Sequence, residues 1–227
     1  MSDSLTLLDR PSPAVAVVTL NRPERRNALS IALRDAISDR LDLLETDPEL
    51  KVVVITGAGP VFSAGFDLGE FQTAAGDPRF SERLWASSDR YHQALATFPL
   101  VTVAALNGPA IAGGFDLAVL CDLRVAATTT RFSHPEHTFG DVVYGPLADI
   151  VGGGLARELC LTGRELTAPE ALAAHLVTDV VEPADVLARA LVVADTVALG
   201  PRAALQRTKA KILTRRGVSR ETATLDM

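Results

Sequence analysis

The chain has 227 residues, of which 48% are hydrophobic and 22% charged, enough for one large domain or for a domain with an appendage. A net charge of −6 argues against a general nucleic-acid binder, and no stretch approaches the ~18 apolar residues of a membrane span. The acid-bearing start M-S-D-S-L-T-L-L-D-R-P is no secretory signal, and Cys121 and Cys160 sit in apolar runs as buried free thiols, so a cytoplasmic, reduced protein is expected.

In chain order, Val15 to Leu20 reads as a buried strand. Asn21 to Asn27 is a polar loop carrying Arg22, Arg25 and Arg26. Ser30 can cap a helix to about Glu45, with Leu33, Ile37, Leu41 and Leu44 on one face, and Asp47-Pro48 ends it. Lys51 to Thr56 is a second buried strand, which runs into Gly57-Ala58-Gly59-Pro60. Strand, helix, strand at these lengths predicts a parallel crossover unit. Residues 73–80 read as a mobile surface loop, and Ser81 begins a helix that reaches about Thr97.

The most informative stretch is Val101 to Cys121. A buried strand, Val101 to Leu106, is broken by Asn107, Gly108 and Pro109, and two glycines, Gly113 and Gly114, open an apolar helix. Strand, glycine-rich turn, helix aims free backbone N–H groups at an anion; the plainer alternative is that the glycines permit tight helix–strand packing. Asp116 falls inside the first helical turn, where an acid is stabilising whether or not it does chemistry. The pattern A-G-F-D-L at 64–68 returns as G-G-F-D-L at 113–117, each after a buried strand and a Gly-Pro break, as two copies of one unit would show.

Leu123 to Ala126 is a short strand, and Arg131 to Ser133 can pair beside it. A glycine-punctuated segment follows, then helices over Leu155–Leu161, from Ala168-Pro169-Glu170, over Pro183–Leu199, and from Pro201 to about Arg216, with a brief strand at Asp179–Val181. Strands nearly vanish after about Thr162, which sets a boundary between residues 1–162 and 163–227. His134 and His137 flank Glu136 as H-P-E-H; Pro135 disfavours a helix that would bring both imidazoles together, so no metal site is expected, while His134 is a candidate pocket residue.

Four stretches, in order and at fitting spacing, resemble the enoyl-CoA hydratase/isomerase (crotonase) superfamily: L-N-R-P-E-R-R-N-A-L-S at 20–30, F-S-A-G-F-D-L at 62–68, N-G-P-A-I-A-G-G-F-D-L-A-V-L-C-D-L-R-V-A at 107–126, and L-T-G-R-E-L-T-A-P-E-A-L-A-A-H-L-V at 161–177. The resemblance implies an α/β fold, a spiral of ββα units over 1–162 with a helical C-terminal region over 163–227, in trimers or pairs of trimers. It implies a coenzyme A thioester as substrate, no separate cofactor, and an oxyanion hole for the thioester enolate made by the N–H groups of Phe66 and Gly113. The catalytic carboxylates would be Asp116 and Glu136, the first in place of the glutamate expected of a hydratase and therefore shorter by ~1.5 Å. Arg22, Arg26, Ala28, Ala64, Gly65, Asp67 and Leu68 would meet the CoA moiety. After Glu136 the chain departs from the hydratase pattern: the turn is shorter and carries Asp141 and Tyr144, so another enolate reaction (hydrolysis or decarboxylation) or an inactive CoA-ester binder stays open. The basic run Arg202, Arg207, Lys209, Lys211, Arg215, Arg216, Arg220 is either a solvated helix face or a phosphate contact.

Overall fold

A computed structural model of the chain describes residues 4–218 together with 223 and 224. Residues 1–3 of the N-terminal segment and Arg220 of the basic run lie outside them. The chain runs β1 (Thr6–Ser12), β2 (Val15–Leu20), α1 (Ile31–Glu45), β3 (Val52–Gly57), α2 (Leu68–Gly76), α3 (Pro78–Ala96), β4 (Val101–Leu106), β5 (Ala110–Ile111), α4 (Gly113–Leu120), β6 (Leu123–Ala127) and β7 (Arg131–Ser133). It continues with α5 (Gly145–Val151), α6 (Gly153–Thr162), β8 (Leu166–Thr167), α7 (Ala168–Ala173), β9 (Asp179–Val181), α8 (Val186–Ala198) and α9 (Arg202–Arg216).

The main sheet has the order β1-β2-β3-β4-β6-β9, antiparallel only between β1 and β2. A smaller sheet joins β5, β7 and β8. The β3 run is buried along Val52–Thr56 because both sheet faces are covered. Side chains alternate across the sheet. Val53, Ile55, Ala104 and Leu106 face one core with Leu33, Ile37, Leu41 and Tyr91 of α1 and α3. Val52, Val54, Val103, Ala105 and Val125 face a second core closed by Val186, Ala190 and Ala194 of α8. Helix α1 starts where the sequence indicates: Ser30 Oγ accepts from the Leu33 N–H at 3.3 Å.

Several expectations are corrected. Residues 73–80 are not a loop, since α2 runs to Gly76 and α3 begins at Pro78 rather than Ser81. Asp77 is the cause: its carboxylate accepts the N–H groups of Arg79 and Phe80, and Pro78 occupies the first helical position. β7 pairs with β5 and β8, not with β6. Pro135 does not prevent helical turn formation; it opens a 3-10 turn over Pro135–Thr138, where its missing N–H has no cost. β1 and α5 were not signalled by the sequence reading.

Candidate active site

The two A/G-G-F-D-L copies meet. Residues Ser63 and Ala110 form a parallel bridge, and the Ile111 N–H donates to the Ser63 carbonyl at 3.0 Å. Gly65 has φ +81°, a left-handed conformation, and a Cβ there would lie 2.7 Å from both Ala112 Cβ and the Ile111 oxygen, and 3.0 Å from the Gly113 nitrogen. A Cβ on Gly113 would come within 2.8 Å of the Phe66 ring. Both glycines are therefore required by the close approach of the loops. Ala112, just before α4, has φ 53° and ψ −131°, a costly conformation for a non-glycine residue and one that functional sites retain. The N–H of Gly113 opens α4 without an intrahelical acceptor, and no turn or loop hydrogen bond among the described residues takes it or the Phe66 N–H.

The first loop is held from three sides. The Leu29 N–H donates to the Gly65 carbonyl at 2.8 Å, and the Ala64 N–H to the Arg26 carbonyl at 3.0 Å. Buried Asn27 donates to the carbonyls of Ala58 and Val61. Arg22 Nη1 donates to Asp67 Oδ2 at 2.7 Å and to the Ala28 carbonyl at 3.1 Å. Burial pushes the Asp67 carboxyl up, but Arg22 and the Gly69 N–H together hold it below the usual range. The structure thus brings Arg22, Arg26, Ala28, Ala64, Gly65 and Asp67 into one loop cluster; Arg26 is exposed, and Leu68 is exposed at the start of α2. Beneath Phe66 lies the fully buried Arg34, its guanidinium 4.4 Å from the ring centroid and bonded to the carbonyls of Leu29 and Leu84. Glu70 accepts the Ile31 N–H and braces the start of α1. The sequence reading missed both Arg34 and Glu70, because neither belongs to a motif.

Asp116 and Glu136 come together through β7. The Ala112 N–H donates to the Ser133 carbonyl at 2.9 Å, tying the end of β7 to the start of α4, and the chain then enters the Pro135–Thr138 turn. Asp116 is fully buried, and its carboxyl is pushed up to about 7, first by burial and then by Glu136, with His134 acting in the opposite direction. Asp116 Oδ1 and Glu136 Oε2 have no hydrogen-bond partner among the described residues. Buried carboxylate oxygens are normally satisfied, so these two stand out as the atoms that a bound substrate or water would partner. His134 Nδ1 lies 2.9 Å from Glu136 Oε1 and 3.9 Å from Asp116 Oδ1. Donor atoms of these three residues lie within 4.8 Å of one another, the one group among the described residues with the spacing to hold a metal ion. His137 takes no part: its Nδ1 bonds to the His134 carbonyl, and its ring packs on Gly163.

Cys160, on α6, is near enough for both carboxylates to raise its thiol, after burial, to about 11; burial raises Cys121 to about 12. Both cysteines are free. After Glu136, Asp141 is exposed and Tyr144 half-buried, its hydroxyl beside Gly153. Much of the basic run serves the chain itself. Lys209 is buried and donates to Asp122 at 2.7 Å and to the Leu100 carbonyl, Arg202 reaches the carbonyls of Leu50 and Glu45, and Arg216 pairs with Asp149. Arg207, Lys211 and Arg215 are exposed. A concavity of about 620 Å³ beside α9 is lined by Cys121, Asp122, Lys209, Arg215 and Arg216 and by none of Phe66, Gly113, Asp116 and Glu136.

A mainly parallel sheet, two mutually supporting glycine turns and the Asp116–Glu136 pair form the arrangement that the crotonase resemblance implies. The enoyl-CoA hydratase/isomerase profile matches residues 10–226. A Thermus thermophilus protein provisionally named an enoyl-CoA hydratase is 41% identical over 91% of this chain and 83% of its own length. A solved enoyl-CoA hydratase from Bacillus anthracis superposes with a TM-score of 0.86 at 29% identity, covering 96% of this chain and 86% of that one. A monofunctional enoyl-CoA isomerase from M. smegmatis superposes with a TM-score of 0.81 at 30% identity, covering 95% of each. The chain belongs to the enoyl-CoA hydratase/isomerase family.

Proposed function

We propose that the protein hydrates an enoyl-CoA thioester through an enolate held by the N–H groups of Phe66 and Gly113. The observation that carries this reading is the pairing of two carboxylates, Asp116 on the first turn of the helix that Gly113 opens and Glu136 beside it, that each keep an unpartnered oxygen, Asp116 Oδ1 and Glu136 Oε2. Their environments separate their roles: buried Asp116 holds a proton up to about pH 7, while Glu136 receives a hydrogen bond from His134. Glu136 Oε2 takes a proton from water as the water oxygen bonds to Cβ. The C=C π pair moves onto the thioester oxygen, where the two N–H groups stabilise it, and Asp116 then protonates Cα. Losing one such donor typically costs ~3–4 kcal/mol of barrier.

Double-bond migration would use the same hole with one carboxylate moving a proton between carbons; the likeness to a monofunctional enoyl-CoA isomerase supports this second reading. A panel of enoyl-CoA esters followed by mass spectrometry separates the two, because hydration adds one water to the mass and migration adds nothing. Turnover of no panel member contradicts both readings. Arg22 and Asp67 shape the loop proposed to receive the CoA moiety, with Arg26, Ala28, Ala64, Gly65 and Leu68 around it. The substrate carries the only coenzyme this chemistry needs, and we propose no resident metal. EDTA is then expected to leave the rate unchanged. A cytoplasmic homotrimer or dimer of trimers serving fatty acid metabolism completes the proposal; no described helix is long and apolar enough to cross a membrane.

A further inference from the structure

Between the two carboxylates lies an imidazole to which the chemistry above gives no task. His134 is fully buried, and its ring stacks on Phe115 at 4.7 Å between centroids. That packing and the end of β7 fix where Nδ1 points. A carboxylate only accepts, so in the 2.9 Å contact Nδ1–H donates to Glu136 Oε1. One oxygen of Glu136 is thereby anchored, and the other, Oε2, is left without a partner. The opposite side of the contact is Asp116, with Oδ1 at 3.9 Å from the same nitrogen.

We infer that His134 is a positioning residue for both carboxylates: its Nδ1–H orients Glu136 so that Oε2 meets the substrate water, and the same nitrogen faces Asp116 Oδ1 from the other side. The inference rests on the reading of Glu136 and Asp116 as the acid–base pair. The other titratable groups at the pair are Cys160 from α6 and Tyr91 from α3, whose hydroxyl is buried and unpartnered among the described residues. Neither carries charge near neutral pH, since burial raises both. His137 faces the His134 carbonyl rather than the carboxylates. The imidazole is therefore the neighbour that distinguishes one carboxylate from the other. A freed Glu136 would regain several rotamers, and misplacement on the order of 1 Å costs about 100-fold in rate.

The test compares His134→Leu, which removes the donor, with His134→Gln, whose amide can still donate to Oε1. Both are measured with an enoyl-CoA as kcat and KM across about pH 5–9, the range in which such limbs are read. The Leu variant is expected to lose about 10- to 100-fold in kcat with KM within about threefold, and the Gln variant to recover most of the loss. His134 pulls the Asp116 carboxyl down, so in both variants the alkaline limb should move to higher pH. A merely structural role would not shift that limb. Wild-type kcat and limb in the Leu variant overturn the inference, as does an equal loss in both variants with no pH shift. A thermal melt of each variant identifies loss of fold; if the Leu variant does not fold, the limb of the Gln variant decides alone. Full activity in Glu136→Gln, or no enoyl-CoA turnover by the wild-type chain, overturns the underlying reading and this inference with it.

Discussion

Asp116 and Glu136 are both carboxylates 20 positions apart, and their surroundings differ sharply. Asp116 is shut away from water on the first turn of α4, whereas Glu136 is half-buried on a short turn and bonded to His134. The shift on Asp116 has a consequence for stability. Its folded-state value, about 7, lies above the ordinary 3.8, so the folded chain binds this proton more tightly than the unfolded chain. The stabilisation from the protonated form is complete at pH below 3.8 and is lost as pH rises to about 7. Asp116→Asn should therefore raise the melting temperature at pH 8 and change it little at pH 4; a gain that is the same at both values contradicts the assignment. The same variant should lose about 100-fold or more in kcat, measured with an enoyl-CoA, because an amide cannot deliver the proton. At this scale the sequence was partly legible. Gly113 and Asp116 announce themselves because a glycine pair at a helix start and an acid in its first turn have direct physical meanings. Asp67 caps α2 by accepting the Gly69 N–H, whereas the sequence reading gave it only the CoA contact that the resemblance implies. His134 was read only as a pocket candidate, since its contact with both carboxylates depends on how β7 docks against α4.

Among the elements, the two glycine turns carry the heaviest constraint. Gly65→Ala would place a Cβ 2.7 Å from Ala112 and from the Ile111 oxygen, in a backbone conformation that costs alanine about 1–2 kcal/mol. For a chain of this size the expected fall in melting temperature is about 2–4 °C per kcal/mol. Activity should fall by more than stability suggests, about 100-fold in kcat, because the Phe66 and Gly113 donors would separate. Calorimetry and kinetics on this one variant check both; unaltered kcat would mean that the loop pair does not place the donors. β2, β3, β4 and α1 were readable because their apolar patterns match a sheet buried on both faces and a helix with one buried stripe. α2 was not, because it contains no buried residue and hence no apolar periodicity. β1 was not, because it is an edge strand whose run from Leu7 to Pro11 is exposed. Asp77-Pro78 was legible in principle as a cap followed by a first-turn proline, and reading it as a loop was an error of turn chemistry.

Across the whole molecule, the sheet is the frame and the C-terminal helices complete it. α8 closes the face opposite α1 and α3, and β9 joins β6 at the edge of the same sheet. α9 is fastened by Lys209, whose ammonium meets Asp122 Oδ2 and the Leu100 carbonyl beside the start of β4. Lys209→Met should cost about 1–3 kcal/mol in urea unfolding, because Asp122 keeps its bonds to Thr102 but loses its cation. Arg215→Gln, at an exposed position of the same helix, should stay within about 0.5 kcal/mol. Equal effects would remove the distinction between the fastening and the solvated members of the basic run. An enolate formed beside two carboxylates is the centre of the proposed chemistry. The most direct measurement is exchange of the α-protons of butyryl-CoA with solvent in D₂O, followed by NMR, since it reads enolate formation whatever reaction the enzyme completes. Exchange catalysed by the wild-type chain and lost in the double variant Asp116→Asn, Glu136→Gln is the predicted result. Exchange no faster than in buffer, or undiminished in that variant, would contradict it.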